Sequence, residues 1–315
     1  MYSDKTILIT GGTGSLGRAI VNEAINRNAK KIIVYSRDEY TQVEMGRILD
    51  DPSIRYYIGD VRDYTRLYRV MDSVDFVVHC AALKHVDVAE RDPIEAIATN
   101  IDGARHVINA AIDRGVKKVL AVSSDKAVNP INLYGATKLC ADKLFIAANA
   151  YSPKKTAFSV IRFGNFVGSR GSVIEYFRRL KSKGSLTLPI TDCRMTRFFI
   201  KLQDAAELCL DMIPTIDGGE VITPKMPAYY MYRVAQHIHP EATLALCGIR
   251  PGEKITEDLI IQDDANRTWD CGEFYITMPR PDDMCYGDRV PTDFHYNSLD
   301  AAGESKLSDL EVLLG

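Results

Sequence analysis

The sequence predicts an α/β protein, in which a doubly wound parallel sheet carries a smaller mixed α/β domain. Short apolar runs alternate with helical patterns through the first half of the chain. Such alternation is typical of a parallel sheet covered by helices on both faces. Beyond Gly168 the loops lengthen, the prolines concentrate and the elements shorten. We therefore expect residues 1–168 to form the sheet domain, with later strands able to return to it, and residues 169–315 to form mainly the smaller domain.

Each element of the predicted sheet has its own apolar or helical pattern. Apolar runs of four or five residues fit strands that are buried on both faces. The predicted strands cover residues 7–10, 31–35, 54–58, 75–79, 118–122 and 157–161. The predicted helices run through residues 18–21, 39–48, 93–115 and 132–150. In the second half, one amphipathic packing helix is predicted by the spacing of Leu202, Ala205, Ala206, Cys209 and Ile213.

Size and composition narrow the class of protein. A chain of 315 residues that is 46% hydrophobic can bury a sizeable core. The net charge of −3 gives no argument for nucleic acid, and no apolar run reaches the length of a membrane span. The seven cysteines are scattered without CxxC spacing, which predicts free thiols in a reducing cytoplasm rather than disulfides or a metal site. We expect a cytoplasmic protein without nucleic-acid or membrane partners.

A glycine-rich turn directly follows the first predicted strand. It reads Thr10-Gly11-Gly12-Thr13-Gly14-Ser15-Leu16-Gly17, with glycines three residues apart. This spacing permits a tight turn, close approach of a diphosphate and close helix packing. The diphosphate then lies at the positive end of the following helix. Glycines alone also suit a plain turn, but a strand before and a helix after them favour a Rossmann-like dinucleotide site.

The end of the second strand bears on the choice of dinucleotide. An acidic side chain there holds the ribose diol of NAD, whereas an arginine suits the extra phosphate of NADP. Ser36 stands where the acid is expected and Arg37 follows it, so the sequence favours NADP. Asp38 keeps NAD open, because it reaches the ribose if the strand ends later.

Several residues lie just past the predicted strand ends. Ligands gather at the carboxyl ends of the strands in sheets of this kind. We therefore expect one crevice, ringed by Asp60, Val61, Ala81, Ala82, Lys84, Ser124 and Asn165. Further cationic partners for a phosphate-bearing ligand are expected among the arginines of the second half, at least half of which should be solvated surface: Arg170, Arg194, Arg197, Arg250 and Arg280.

Two neighbouring segments carry the reactive side chains. Ser124, Asp125 and Lys126 follow the fifth predicted strand, while Tyr134 and Lys138 stand four residues apart on one face of the next helix. We expect the Lys138 ammonium to lower the pKa of the Tyr134 phenol. The phenol can then take a proton from a substrate alcohol near neutral pH. Beside a hydride acceptor, this group would oxidise an alcohol.

With these residues identified, the chain resembles the extended short-chain dehydrogenase/reductase family. The glycine turn, the Tyr134/Lys138 pair and Ser124 match the motifs of that family. More narrowly, the chain looks like the inverting UDP-N-acetylglucosamine 4,6-dehydratases. This narrower likeness covers about residues 4–285 and rests on the segments 35–39, 123–130, 162–166, 194–198 and 250–254. The glycine turn and the Tyr/Lys pair serve many activities, whereas Ser-Asp-Lys with an intact tyrosine is far more discriminating.

The resemblance implies a reaction in three stages on a UDP-sugar. C4 is oxidised, water is lost across C5 and C6, and the hydride returns to C6 while C5 is reprotonated from the opposite face. Lys126 is interpreted as the C5 base and Asp125 as the acid, with exchange of these roles left open. As a base, Lys126 needs a lowered pKa, which burial and the charge of Lys138 would provide. The alternative is a structural ion pair between Asp125 and Lys126.

The cofactor contacts predicted from these arguments include the turn, the strand ends, Tyr134 and Lys138. The predicted substrate contacts are Lys84, His85, Asn165, Ser172, Val173, Thr187, Arg197, Arg250, Glu253 and Arg280. The resemblance also implies a homo-oligomer, a dimer or larger up to a hexamer, formed through helices like 94–115 and 132–150. Competing interpretations are a UDP-sugar epimerase, a retaining dehydratase and a non-catalytic NADP-binding regulator on the same fold.

Overall fold

The computed structural model describes residues 1–152, 156–283 and 285–314. In this part of the chain, ten strands form one sheet in the order β16-β14-β15-β10-β6-β5-β4-β1-β2-β3. The strands of the first half are β1 Thr6–Thr10, β2 Lys31–Ser36, β3 Ile54–Ile58, β4 Phe76–His79, β5 Lys118–Ser124 and β6 Ala157–Phe163. All six are parallel, as the alternating pattern predicts.

Helices cover both faces of this sheet. In chain order they are α1 Ser15–Asn26, α2 Glu39–Leu49, α3 Tyr64–Val70, α4 Val86–Arg91, α5 Pro93–Ile97, α6 Gly103–Arg114 and α7 Leu133–Ala148. The predicted helix 93–115 is present as α5, a π-helical turn at Ala98–Asp102 and α6. Two apolar clusters result, one on each face, so the parallel sheet is buried on both sides.

The second half of the chain extends the same sheet. Among the described residues, β10 Val221–Pro224 joins β6 in parallel, and β15 Phe274–Thr277, β14 Thr268–Asp270 and β16 Asp288–Arg289 follow as antiparallel strands. The predicted packing helix is α9 Leu202–Met212, whose apolar face packs in the cluster that includes α1. Residues beyond 168 therefore supply outer strands of the sheet as well as a separate module.

That module consists of short strands and helices; several of them form an apolar cluster of their own, while β13 and α11 pack in a cluster of the sheet. Its strands are β7 Asn165–Val167, β8 Thr187–Ile190, β9 Thr196–Lys201, β11 Ala228–Tyr230, β12 Thr243–Leu246, β13 Asp258–Ile260 and β17 Tyr296–Asn297. Its helices are α8 Val173–Ser182, α10 Met231–Ile238, α11 Ser298–Glu304 and α12 Leu307–Leu314. The module stands at the carboxyl ends of the parallel strands, because β7 begins two residues after β6 ends.

Two further findings concern the cysteines and the length of the apolar helices. Each of the seven cysteines is a free thiol. Across residues 1–152, 156–283 and 285–314, no helix combines the length and the apolar character that a membrane crossing requires.

Candidate active site

The glycine turn has the geometry that a bound diphosphate needs. Gly11 adopts a φ of 66°, and Gly14 N donates to Gly11 O at 2.8 Å. A Cβ on Gly11 would lie 2.9 Å from backbone atoms of Ala81, so the turn and the loop after β4 touch without side chains between them. Gly14 caps α1 and has no side chain to accept from the helix, whose first N–H groups remain directed at the turn. These features fit the diphosphate of a dinucleotide.

The third glycine sets how closely α1 meets the turn. A Cβ on Gly17 would collide with Gly11 O and stand 2.6 Å from Gly12 Cα. Ser15 and Leu16 begin the helix between these contacts, and Leu16 is buried in the core. The close approach of helix and turn predicted from the sequence is therefore present.

Ser36, which ends β2, and the two residues that follow it make different contacts. Ser36 is buried, and its Oγ accepts from Gln42 Nε2 at 2.9 Å. Asp38 caps α2 by accepting from Tyr40 N at 3.0 Å, so its carboxylate is already engaged. The Arg37 side chain is 60% exposed and stands 3.9 Å from a carboxylate oxygen of Asp60. Arg37 is thus the projecting group at this strand end.

The loops after β3 and β4 also reach the crevice. Burial disfavours the Asp60 carboxylate, but hydrogen bonds from Arg62 outweigh it and lower the pKa of Asp60. Val61 is buried in the apolar cluster beside α6, so its side chain packs in the core. After β4, Ala81 faces the glycine turn and Ala82 follows in the same loop. The buried Asn100 holds this loop by bonding both backbone groups of Leu83.

Arg170 reaches the glycine turn from the second half of the chain. Its guanidinium donates to Thr13 O at 2.8 Å, and its backbone N–H donates to Ser15 Oγ at 3.1 Å. Arg18 donates to the same Thr13 oxygen at 3.1 Å. Two guanidinium groups therefore converge on one carbonyl beside the turn. Sequence reasoning counted Arg170 only among scattered arginines, although its place between Gly168 and Gly171 marks a tight loop.

The loop after β4 meets this same loop. Lys84 Nζ donates to Arg170 O at 2.9 Å. The His85 ring lies 3.2 Å from where a Cβ on Gly171 would stand. Lys84 and His85 therefore lie at the junction between the sheet and the smaller module, on the side of the glycine turn.

The reactive side chains come together where β5 meets α7. Ser124 Oγ and Lys126 Nζ both donate to Asp125 Oδ1, at 2.8 and 3.0 Å, and Asp125 is fully buried. The Tyr134 hydroxyl forms a hydrogen bond with Ser124. A Cβ on Gly135 would collide with Lys126 O, so glycine allows α7 to pack directly on the Asp125–Ala127 turn. The structure thus places Ser124, Asp125, Lys126 and Tyr134 in one group.

The prediction that Lys138 lowers the pKa of the Tyr134 phenol is wrong in this structure. Lys138 Nζ is directed to Val122 O, to which it donates at 2.8 Å. Burial raises the pKa of Tyr134, and this rise is opposed by the Lys126 ammonium and by the hydrogen bond between Tyr134 and Ser124. Burial also lowers the pKa of Lys138. Helical spacing placed Tyr134 and Lys138 on one face, but it did not reveal that Lys126 is the cation that favours the phenolate.

The expectation of a lowered pKa for Lys126 is also wrong. Burial does disfavour its ammonium, but the carboxylates of Asp125 and Glu257 outweigh this effect and raise the pKa. Glu257 Oε1 lies 3.4 Å from Lys126 Nζ, and Asn165 Oδ1 lies 3.5 Å from it. Lys126 therefore carries a proton in this state. Sequence reasoning missed Glu257, since it lies 131 positions from Lys126 and belongs to no recognised motif.

The segment Arg250–Lys254 lies against the reactive group. Asn132, which caps α7, donates to Gly252 O at 2.8 Å. Lys254 Nζ donates to Val128 O at 2.6 Å, and Arg197 Nη2 donates to Lys254 O at 2.8 Å. Arg197 is buried here, whereas Arg250 is exposed and its backbone N–H donates to Glu253 at 3.2 Å.

The remaining predicted substrate contacts separate into two groups. Ser172 caps α8, Val173 begins that helix, and exposed Thr187 begins β8, so all three belong to the smaller module. Arg280 lies elsewhere. It follows β15, whose last residue Thr277 pairs with Val221 at the amino end of β10. Because β15 is antiparallel, Arg280 lies at the edge opposite the crevice, where it pairs with Asp283 at 3.1 Å, and the structure does not bring it to the site.

The parallel sheet, glycine turn and Ser/Tyr/Lys group define a short-chain dehydrogenase/reductase scaffold. The chain belongs to the family of polysaccharide biosynthesis proteins, whose family model matches residues 7–279. The resemblance inferred from the motifs is therefore confirmed.

Individual relatives agree with this assignment. An inverting UDP-N-acetylglucosamine 4,6-dehydratase of Campylobacter jejuni is 47% identical over 306 residues, which cover 96% of this chain and 90% of the relative. A UDP-glucose 4-epimerase of Rickettsia conorii is 38% identical, covering 99% of this chain and 91% of the relative. The X-ray structure of Pen from Bacillus thuringiensis superposes with a TM-score of 0.93 at 35% identity, covering 100% and 98% of the two chains.

Replacement of Gly17 by alanine tests the glycine turn. The new methyl group has no space beside Gly11 and Gly12, so α1 must shift away from the turn. We expect a loss of about 1–3 kcal/mol in the free energy of unfolding, together with at least tenfold weaker dinucleotide binding in a fluorescence titration. Gly303→Ala is the control, because its Cβ meets no atom within 4 Å. Wild-type affinity in Gly17→Ala would contradict the assignment of the turn.

Proposed function

We propose that this protein is a UDP-N-acetylglucosamine 4,6-dehydratase that inverts C5 and uses NADP. The observation that carries the proposal is the pair formed by the fully buried Asp125 and the partly buried Lys126, hydrogen-bonded at 3.0 Å beside Ser124 and Tyr134. Oxidation of an alcohol needs a proton acceptor for the hydroxyl, whereas loss of water needs an additional acid and base. Here the proton acceptor, Tyr134, lies together with an acid and base, Asp125 and Lys126. The 47% identity to an inverting dehydratase supports the same substrate and outcome.

In the first stage, Tyr134 takes the proton of the C4 hydroxyl. A bound nicotinamide would accept the hydride from C4 and later return it to C6. Ser124 links the phenol to Asp125, and the charge of Lys126 favours the phenolate that accepts the proton. Lys138 has its ammonium at the end of β5, beneath this group. The C4 ketone then makes the proton on C5 acidic.

In the second stage, Lys126 must act as a base although its raised pKa keeps it protonated. Its hydrogen bond to Asp125 offers a route for the proton to leave. Transfer of a proton along their 3.0 Å hydrogen bond converts ammonium and carboxylate into amine and carboxylic acid. The Lys126 amine then takes the C5 proton, while the Asp125 acid protonates the departing C6 hydroxyl. Lys126 ends as ammonium and Asp125 as carboxylate, so the pair returns to its starting state. In the third stage C5 takes a proton that comes from solvent on the opposite face, and Tyr134 releases to solvent the proton that it took from the C4 hydroxyl, so the sugar loses only water. The base and acid roles inferred from the resemblance are both preserved.

The proposal of NADP rests on the groups beside β2. Arg37 projects from the strand end, while Asp38 is used to cap α2. Arg18 and Arg170 converge on Thr13 O next to the turn. Guanidinium groups bind phosphate in a bidentate manner. A ribose phosphate is the ligand that suits such a surrounding.

A UDP-sugar 4-epimerase is the second candidate, favoured by the 38% identity to the Rickettsia conorii enzyme. An epimerase only oxidises and reduces C4, so it has no use for an acid and base directed at C5 and C6. A retaining dehydratase needs the same pair and differs only in the face from which C5 is reprotonated. A non-catalytic regulator has no use for either set of groups.

We also propose that the protein is a cytoplasmic homo-oligomer, a dimer or larger, formed through the helical face of α5, α6 and α7. The support is the resemblance, together with exposed apolar side chains on α5, where Ile94 is 77% exposed. Free thiols at all seven cysteines are compatible with a reducing compartment.

The proposed reaction is tested by incubation with UDP-N-acetylglucosamine in deuterated water. We expect a 4-keto product with a C6 methyl group and deuterium at C5, observed in the proton spectrum, and coupling constants that report an inverted C5. Retained C5 configuration would point to the retaining dehydratase. An epimerase would produce neither the methyl group nor the label, and a regulator would leave the sugar unchanged.

Lys126→Met tests the second stage by itself. Methionine approximates the shape of the lysine side chain but cannot accept the C5 proton, so the reaction should stop after oxidation of C4. Because the variant also loses the charge that favours the Tyr134 phenolate, the oxidation itself should slow. In a single turnover, we expect reduced nicotinamide to accumulate at 340 nm, with C5 exchange reduced by at least 100-fold. Wild-type exchange at C5 in this variant would exclude Lys126 as the base.

Arg37→Ala tests the choice of dinucleotide. Loss of a guanidinium that meets the ribose phosphate should weaken NADP by about ten- to 100-fold, roughly 1.4–2.8 kcal/mol, and leave the affinity for NAD nearly unchanged. Titrations of the ligand-free protein with each dinucleotide measure both values. Arg55→Ala, on the neighbouring edge strand β3, is a control. Equal losses for NADP and NAD would refute the proposal of NADP.

A further inference from the structure

Glu257 is a buried carboxylate that the proposed reaction does not use. Only 2% of the residue is exposed, and it immediately precedes β13. Its Oε1 lies 3.4 Å from Lys126 Nζ and 3.8 Å from Arg197 Nε, while Oε2 lies 3.7 Å from Lys254 Nζ. Within the described residues, Oε2 accepts no hydrogen bond. A carboxylate in such a place is costly to bury and needs these cations nearby.

The backbone around Glu257 is fixed independently of its carboxylate. Glu257 N donates to Ser298 Oγ at 2.9 Å, and Ser298 N donates to Glu257 O at 2.8 Å. Ser298 Oγ in turn bonds Thr196 Oγ1 at 2.8 Å, and both residues are fully buried. These contacts join β9, β13 and α11 at one point. The Glu257 side chain therefore extends toward Lys126 from a rigid support.

Lys126 is consequently held from two sides. Asp125 contacts it from its own turn, and Glu257 contacts it from the smaller module. With Asp125 alone, the long lysine side chain could follow the carboxylate or rotate away from the substrate, since it has several free torsions. The second carboxylate removes that freedom.

We propose that Glu257 is a positioning residue that holds the Lys126 ammonium in place for the loss of water across C5 and C6. This inference rests on the proposed dehydratase function, and it assigns Glu257 no contact with substrate. Glu257 acts only through Lys126. Oxidation at C4 uses only the charge of Lys126, which Asp125 maintains, whereas the elimination also needs its exact position, so loss of Glu257 should slow the elimination far more than the oxidation. A residue with a merely structural role would affect both stages alike.

The test is a single-turnover measurement on Glu257→Gln, which removes the charge and keeps the shape. Reduced nicotinamide at 340 nm reports oxidation of C4, and the C6 methyl signal reports elimination. We expect the oxidation rate to remain within twofold of wild type and the elimination rate to fall by about 10–100-fold. Glu257→Asp restores the charge on a shorter side chain, and we expect it to recover most of the loss in elimination rate. Asp258→Asn, which removes a charge from the adjacent, partly buried residue, is the matched control.

The outcomes separate this inference from the proposed function. Wild-type protein that forms no C6 methyl product refutes the dehydratase function itself. If wild type turns over and Glu257→Gln eliminates water at the wild-type rate, or slows both stages equally, the positioning role is overturned. Should Glu257→Gln fail to fold, the Asp variant decides. Its shorter side chain predicts elimination that is a few-fold slower at the wild-type oxidation rate, which supports the role; fully wild-type elimination, or equal slowing of both stages, overturns it.

Discussion

The whole site depends on one buried carboxylate at the junction between β5 and α7. Asp125 is removed from solvent and accepts from Ser124 and Lys126 through the same oxygen atom. A buried anion is tolerated only with such partners, so Asp125 imposes the positions of both side chains. Through Ser124 it also reaches Tyr134. The absence of a side chain at Gly135 lets α7 come close enough to complete the group.

The charged side chains that meet at this junction come from segments that are far apart in the sequence. Asp125 and Lys126 come from the sheet, whereas Glu257, Arg197 and Lys254 come from the smaller module. Three cations and two anions meet there, which leaves one net positive charge near the group that must stabilise developing negative charge on the sugar. The two halves of the chain are therefore joined electrostatically as well as by the strands β10, β14, β15 and β16, which return to the sheet.

Local patterns were sufficient to predict much of this protein. Apolar runs identified the six parallel strands, glycine spacing identified the turn, and the Ser-Asp-Lys and Tyr-Lys segments identified the reactive group. What failed depended on contacts between distant segments. The pKa of Lys126 is raised by Glu257, which no local pattern connects to it. Lys138 turns to the carbonyl of Val122, and Arg280 lies at the wrong edge because β15 runs antiparallel. Arg170 reaches the glycine turn only through the packing of two loops.

The contact of Arg170 with Thr13 and Ser15 has a consequence for how the catalyst cycles. It joins the smaller module to the glycine turn, and Lys84 joins the same loop to the loop after β4. An ordinary dehydrogenase must exchange its coenzyme after every turnover, and a fastening of this kind would make that exchange slow. A reaction that hands the hydride back to its own product leaves the coenzyme oxidised again. Keeping the coenzyme bound through many turnovers then does not slow the reaction, and only the sugar nucleotide has to bind and dissociate.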